Sequence, residues 1–154
     1  MVVINDITYT KLTTYTGKVG GNEAYTFNAI PDEQYYSKPV KLVSFYHDGT
    51  EKIIITEIGK NAFTNCHLIP SVVIPKTILV IRENAFLSCH WLRSITFEKG
   101  SSLTTIETNA FASVYKIPKE VRLPFHLRTI ASNAFTQGHF FRFFFRFFNS
   151  FSTL

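Results

Sequence analysis

From residue 55 onward, apolar positions return on a fixed schedule. Four copies of Asn-Ala-Phe begin at Asn61, Asn84, Asn109 and Asn133 and end at Phe63, Phe86, Phe111 and Phe135, at steps of 23, 25 and 24 residues. Three residues before each Asn stands Ile58, Ile81, Ile106 or Ile130, and three before that another aliphatic, Ile55, Ile78, Leu103 or Leu127. After each Phe come Cys66, Cys89 and Val114, followed by Leu68-Ile69, Trp91-Leu92 and, one residue late, Ile117. The alternating runs Val72-Val73-Ile74, Ile95-Thr96-Phe97 and Val121-Arg122-Leu123 close the units. Each run predicts a short strand with its first and third side chains inward. The aliphatic pair, as in Leu103-Thr104-Thr105-Ile106, predicts a second short extended segment. Asn-Ala-Phe predicts one or two helical turns, with Asn as the helix-start residue accepting an orphan backbone N–H. The Phe fills the core, and the Ala leaves room for close packing.

A period in this range means a solenoid, because one such unit cannot bury its own apolar face and neighbours must stack. The expected fold is an α/β repeat: a right-handed coil of short parallel strands and short helical turns. Its core columns are Phe63, Phe86, Phe111, Phe135 and Ile58, Ile81, Ile106, Ile130. Pro75 and Pro124 end two of the strands, since proline cannot continue a paired ladder. Residues 1–37 lack the repeat. Their alternating, Thr- and Tyr-rich runs around a Gly-rich stretch predict an antiparallel β cap. Residues 40–46 and 52–56 read as a hairpin around Asp48-Gly49, a strong signal for a tight turn between strands. Residues 38–138 then hold about four repeat units, and 139–154 form a Phe-rich tail.

The recurring string Ile-x-x-Asn-Ala-Phe-x-x-Cys, then Leu, then a short strand ending in Pro, resembles the BspA-like leucine-rich repeats of bacterial and protozoan surface antigens. The resemblance covers about residues 38–138. It implies a leucine-rich-repeat solenoid used for protein binding and adhesion, with a host or matrix protein as partner and the cell surface as location. It implies no catalytic residue.

Composition changes this picture in three places. With 45% hydrophobic and 18% charged residues, the chain can build a core. No run of 18 apolar residues predicts a membrane-spanning helix, and the first six residues do not read as a signal peptide. The charge is uneven: five lysines face seven acids over 1–59, whereas nine basic residues face four acids over 60–138. The basic residues sit at non-equivalent repeat positions and form no stripe, which argues against nucleic acid as partner. The tail holds eight of the sixteen Phe, with Arg142 and Arg146. It reads first as a degenerate last repeat, then as a frame error or expressed scar, then as a membrane-active helix. An apolar terminal strand of this kind predicts a sticky edge and self-association.

Candidate chemistry is sparse. Cys66-His67 and Cys89-His90 have the look of metal-ligand pairs. They occupy equivalent positions, however, so inward cysteines leave their histidines pointing elsewhere, and four side chains do not converge on one ion. No metal or cofactor is expected. A Cys66–Cys89 disulfide is geometrically within reach on adjacent rungs, but parallel Cβ vectors favour free thiols. His67, His90 and His139 share a repeat position with Tyr115 and read as a surface stack rather than a pH sensor. The acids Glu57, Glu83, Glu98, Glu107 and Glu120 stand at non-equivalent positions, and no phosphate loop, nucleophile elbow or zinc-protease motif occurs. No enzyme is expected. Strand alternation turns Ser71, Val73, Ser94, Thr96, Glu120 and Arg122 outward, and these six form the predicted binding strip. The alternative is a truncated family member without a dedicated function.

Overall fold

The computed structural model describes residues 2–4, 7–11, 24–28, 37–47, 52–117, 120–138 and 142–143. Its frame is a coil with two ladders. Strands β6 (Lys52–Ile58), β8 (Val80–Ile81), β10 (Thr105–Ile106) and β12 (Thr129–Ile130) pair in parallel. The register sets Ile58 beside Ile81, Ile81 beside Ile106, and Ile106 beside Ile130. A second parallel ladder runs through β4 (Val40–Lys41), β7 (Ser71–Ile74) and β9 (Ser94–Phe97), with Val40 beside Val72 and Val72 beside Ile95. β-Branched residues suit both ladders, since their stiff side chains pack well on a pleated surface.

Between the ladders lies a dry core. Phe63, Phe86 and Phe111 are fully buried, as are Ile58, Ile81 and Ile106, while Ile130 and Phe135 on the last rung are partly buried. The four phenylalanine rings stack nearly parallel, with centroids 4.9, 5.1 and 5.2 Å apart. A strict repeat forces this arrangement: identical side chains at identical coil positions lie one rung apart.

The segments expected to be helical turns are not helices, and no helix occurs among the described residues. Asn61, Asn84, Asn109 and Asn133 take φ of 59°, 57°, 55° and 61°, and Asn65, Ser88, Ser113 and Gln137, four residues on, are also left-handed. A helix N-cap needs extended backbone at that Asn. Here Asn serves because it tolerates the left-handed region better than most residues. The amides explain the outcome. Asn61, Phe63 and Asn65 donate to the carbonyls of Glu83, Ala85 and Leu87 on the next coil, while Ala62, Thr64 and Cys66 donate three residues back. Alternate N–H groups are thus captured between coils, and none is left for an α-helical pattern.

The cap likewise finds no support as a separate element. Strands β1 (Val2–Ile4), β2 (Ile7–Lys11) and β3 (Ala24–Asn28) pair antiparallel in turn, but β3 pairs in parallel with β6 and so extends the same sheet. The predicted strand over 40–46 divides. Val40–Lys41 joins β7, whereas β5 (Phe45–His47) forms the antiparallel hairpin with β6, Phe45 opposite Ile54. The Asp48-Gly49 turn lies outside the described residues. So does nearly all of the tail, except β13 (Arg142–Phe143), which pairs in parallel with β11 (Glu120–Val121).

Candidate functional site

On β7, Val72 and Ile74 turn into the core and are fully buried, which leaves Ser71 and Val73 on the outer side, half-buried. On β9, Ile95 and Phe97 pack against the core, and Ser94 and Thr96 are exposed. The register sets Ser71 beside Ser94 and Val73 beside Thr96. Four of the six predicted strip residues therefore share one surface. The other two do not continue it. Glu120 lies in β11 and Arg122 is exposed just beyond, but β11 pairs with β13 rather than with β9. The step from Ser71 to Ser94 is 23 residues and that from Ser94 to Glu120 is 26. The third unit is thus the longer one, and its strand is not part of the β4–β7–β9 ladder. A groove of about 240 Å³ opens beside Arg122, lined also by Phe97, Phe125 and His126, with Phe125 72% exposed. Flat hydroxyl and aliphatic side chains beside a shallow groove can dock another surface.

The titratable residues sort into two internal roles. Arg82 spans three coils: its Nε and Nη2 donate to Glu57 at 2.8 Å each, and its Nη1 donates to Glu107 at 2.7 Å. Glu107 also accepts the Glu83 backbone N–H at 3.0 Å. The hydrogen bond to Glu57, and then that to Glu107, hold the guanidinium more firmly protonated than usual against the cost of burial. Sequence position alone did not bring Glu57 and Glu107 together, because they occupy non-equivalent places in their units. The cysteines are free and buried. Cys89 Sγ donates to the Phe63 carbonyl at 3.1 Å, and burial above all, then the charge of Cys66, pushes its thiol well above the usual range. Such thiols are core residues and not nucleophiles. Among the described residues, no three His, Cys, Asp or Glu side chains are grouped to hold a metal ion.

The histidines leave the core beside those cysteines. His67 Nδ1 donates to the Ser88 carbonyl at 2.8 Å, and its ring stacks on His90 at 4.6 Å. His90 meets the Tyr115 ring at 5.3 Å. Burial, and then the neighbouring His67, lower the pKa of His90. His139 lies outside the described residues. One position further along each unit, Leu68, Trp91 and Lys116 form a second outer column. Trp91 N–H donates to the His67 carbonyl and Arg93 N–H to the Pro70 carbonyl, both at 2.9 Å, which locks the column in register. Leu68 is 43%, Trp91 44% and Tyr115 39% exposed. The Arg93 guanidinium sits 4.5 Å from the Trp91 ring centroid and the Lys116 ammonium 5.5 Å. Of the apolar pair Trp91-Leu92 in the sequence, Leu92 is the buried member and Trp91 the exposed one. Lys116 at the same position in the next unit was the signal that this column faces out.

Residues 28–149 match the BspA type leucine rich repeat region in six copies. The match begins at the last residue of β3 and runs past Gly138 into the tail. No curated protein matches the chain. Among solved structures, a leucine-rich repeat protein from Bacteroides capillosus is similar over 92% of this chain and 95% of its own, at 18% identity and a TM-score of 0.70. The T. pallidum leucine rich repeat protein is similar over 88% of this chain and 66% of its own, at 21% identity and a TM-score of 0.60. A leucine rich cell surface protein from Faecalibacterium prausnitzii is similar over 91% of this chain and 52% of its own, at 15% identity and a TM-score of 0.56. At these identities the likeness establishes the fold. Stacked Phe and Ile columns, left-handed Asn turns and the six matched copies agree: the chain belongs to the BspA-type leucine-rich repeat family.

Proposed function

We propose that the chain is a non-enzymatic protein-binding module that acts in adhesion at a cell surface. The observation that carries this reading is the outer side of the β4–β7–β9 ladder, where Ser71, Ser94, Val73 and Thr96 stand in register. Family membership supports binding as the general role, and likeness to a leucine rich cell surface protein of F. prausnitzii supports the location. The partner is a host or matrix protein docked along the strip, with Glu120 and Arg122 on the coil beyond the groove extending its footprint. Residues 38–138 are the binding array, flanked by 1–37 and 139–154. Strands about 4.8 Å apart make a short ladder, so the contact is small against the ~800 Å² per partner of a standard interface. A weak contact, multiplied by self-association through the tail, suits adhesion better than a tight single-site complex.

Pull-down against a panel of purified extracellular-matrix proteins tests the strip. The folded double variant Thr96→Arg/Arg122→Glu loses capture of whichever matrix protein the native chain retains. Undiminished capture by that variant removes the strip as the binding face.

A further inference from the structure

The Trp91 column is a second exposed surface, and it leads into the start of β9, where Arg93 directly precedes Ser94. It combines two features that a mere solvated edge does not need. First, it brings large apolar groups to the surface. Leu68 and Trp91 in this column and Tyr115 in the neighbouring one are each about two-fifths exposed, and the Trp91 backbone N–H donates to the His67 carbonyl on the previous coil. Side chains carried on backbone bonded between coils lose less freedom on binding than those on a free loop. Second, its cations are unspent. Lys60 is paired with Glu83 at 2.7 Å, and Arg82 with Glu57 and Glu107. Arg93 and Lys116 form no ion pair with any described residue and instead lie over the Trp91 ring. A guanidinium above an aromatic face is pre-oriented and still presents its N–H donors outward. Trp, Tyr and Arg are also the residue types that most often carry binding energy.

We propose that Arg93, Lys116, Trp91, Leu68 and Tyr115 capture an acidic segment of a partner protein that carries an apolar side chain beside its carboxylates. A carboxylate placed between Arg93 and Lys116 completes the charge balance that the described residues leave open. The apolar side chain covers Leu68 and the exposed edge of Trp91 or Tyr115. Two cations among three large apolar groups are too few for a long polyanion, which would want a continuous basic track. Hence an acidic protein segment fits better than a sulfated glycan or a nucleic acid. The inference rests on the binding-module reading but not on the strip.

A fluorescein-labelled peptide, Glu-Glu-Leu-Glu-Glu-Tyr-Glu, and its counterpart with Gln for every Glu serve as probes in anisotropy titrations of the full chain. The acidic peptide binds about tenfold tighter than the Gln peptide, and raising the salt concentration weakens it. Arg93→Gln/Lys116→Gln, and separately Trp91→Ser, each lower its affinity by about tenfold. All three positions are exposed, so thermal melts of the variants stay close to that of the native chain. Thr96→Ala, which adds no charge, leaves peptide binding unchanged, which separates this surface from the strip. Equal binding of the two peptides, no binding up to about 1 mM, or full affinity in the folded Arg93→Gln/Lys116→Gln variant overturns the proposal. So does displacement of the peptide by a heparin oligosaccharide that binds more tightly than the peptide.

Discussion

Phe86 has a parallel ring on each side, Phe63 at 4.9 Å and Phe111 at 5.1 Å, and no exposed surface. Its removal takes the central ring from the column, and Phe111 is held on its other side by Phe135 at 5.2 Å. Phe86→Ala is therefore expected to cost roughly 3–5 kcal/mol, read from denaturant melts. A loss below about 1 kcal/mol would mean that the column is not what holds the coils together. The adjoining Asn84 shows how much one residue does here. Its left-handed backbone begins the turn, its Nδ2 donates to Asn61 on the previous coil at 3.1 Å, and its carbonyl accepts from Thr64 at 2.7 Å. The same residue type at the same place in four units makes this a column of turns rather than of helix starts.

At the scale of the element, the two ladders, the turn amides and a set of side-chain bonds join the coils, and among the side-chain bonds those of Arg82 reach furthest. They are also the most concentrated. Glu57 is only 7% exposed, and both its carboxylate oxygens accept from Arg82. Arg82→Met leaves that carboxylate buried without a cation. Loss of a fully buried partner costs ~3–5 kcal/mol, and the 40% exposure of Arg82 lets water screen part of it, so roughly 2–3 kcal/mol is expected. The double variant Glu57→Leu/Arg82→Met recovers at least half of this, because it removes the stranded charge as well as the bond. Urea denaturation of the single and double variants gives both numbers. Equal losses in the two would place the stabilisation in the attraction itself rather than in avoiding a buried, unpaired carboxylate.

For the whole molecule, the weak places of a solenoid are its ends. β12 is the terminal rung of the main ladder, with Ile130 and Phe135 only partly covered. Eight phenylalanines follow within residues 139–154. Apolar side chains in such number are expected both to cover the last rung and to pair with a second copy. A chain ending at Gly138 should thus remain monomeric to higher concentration and melt at a lower temperature than the full chain. Sedimentation velocity together with thermal melts measures both effects. Two equally soluble monomers with equal melting temperatures would rule out a role for the tail in either.

The repeat period and the Phe and Ile columns were legible in the residues alone, since a solenoid stacks identical positions and its core must recur at its period. Ile58, Ile81, Ile106 and the buried phenylalanines could be named from spacing for that reason. The strand bounds were less legible, for the run over 40–46 divides and β11 ends at Val121. Three matters needed the folded coil. Asn-Ala-Phe suits a helix start or a left-handed turn equally well. The choice fell to the turn because carbonyls of the next coil, 22 to 24 residues away, take every second amide. The pairing of Glu57 with Glu107 through Arg82 depends on side chains from non-equivalent positions leaning toward one point. That β11 pairs with β13 and not with β9 depends on how a unit of unequal length meets its neighbours. Local sequence carries what each rung repeats; contacts between rungs are long-range, and only the stacked chain brings their partners within reach.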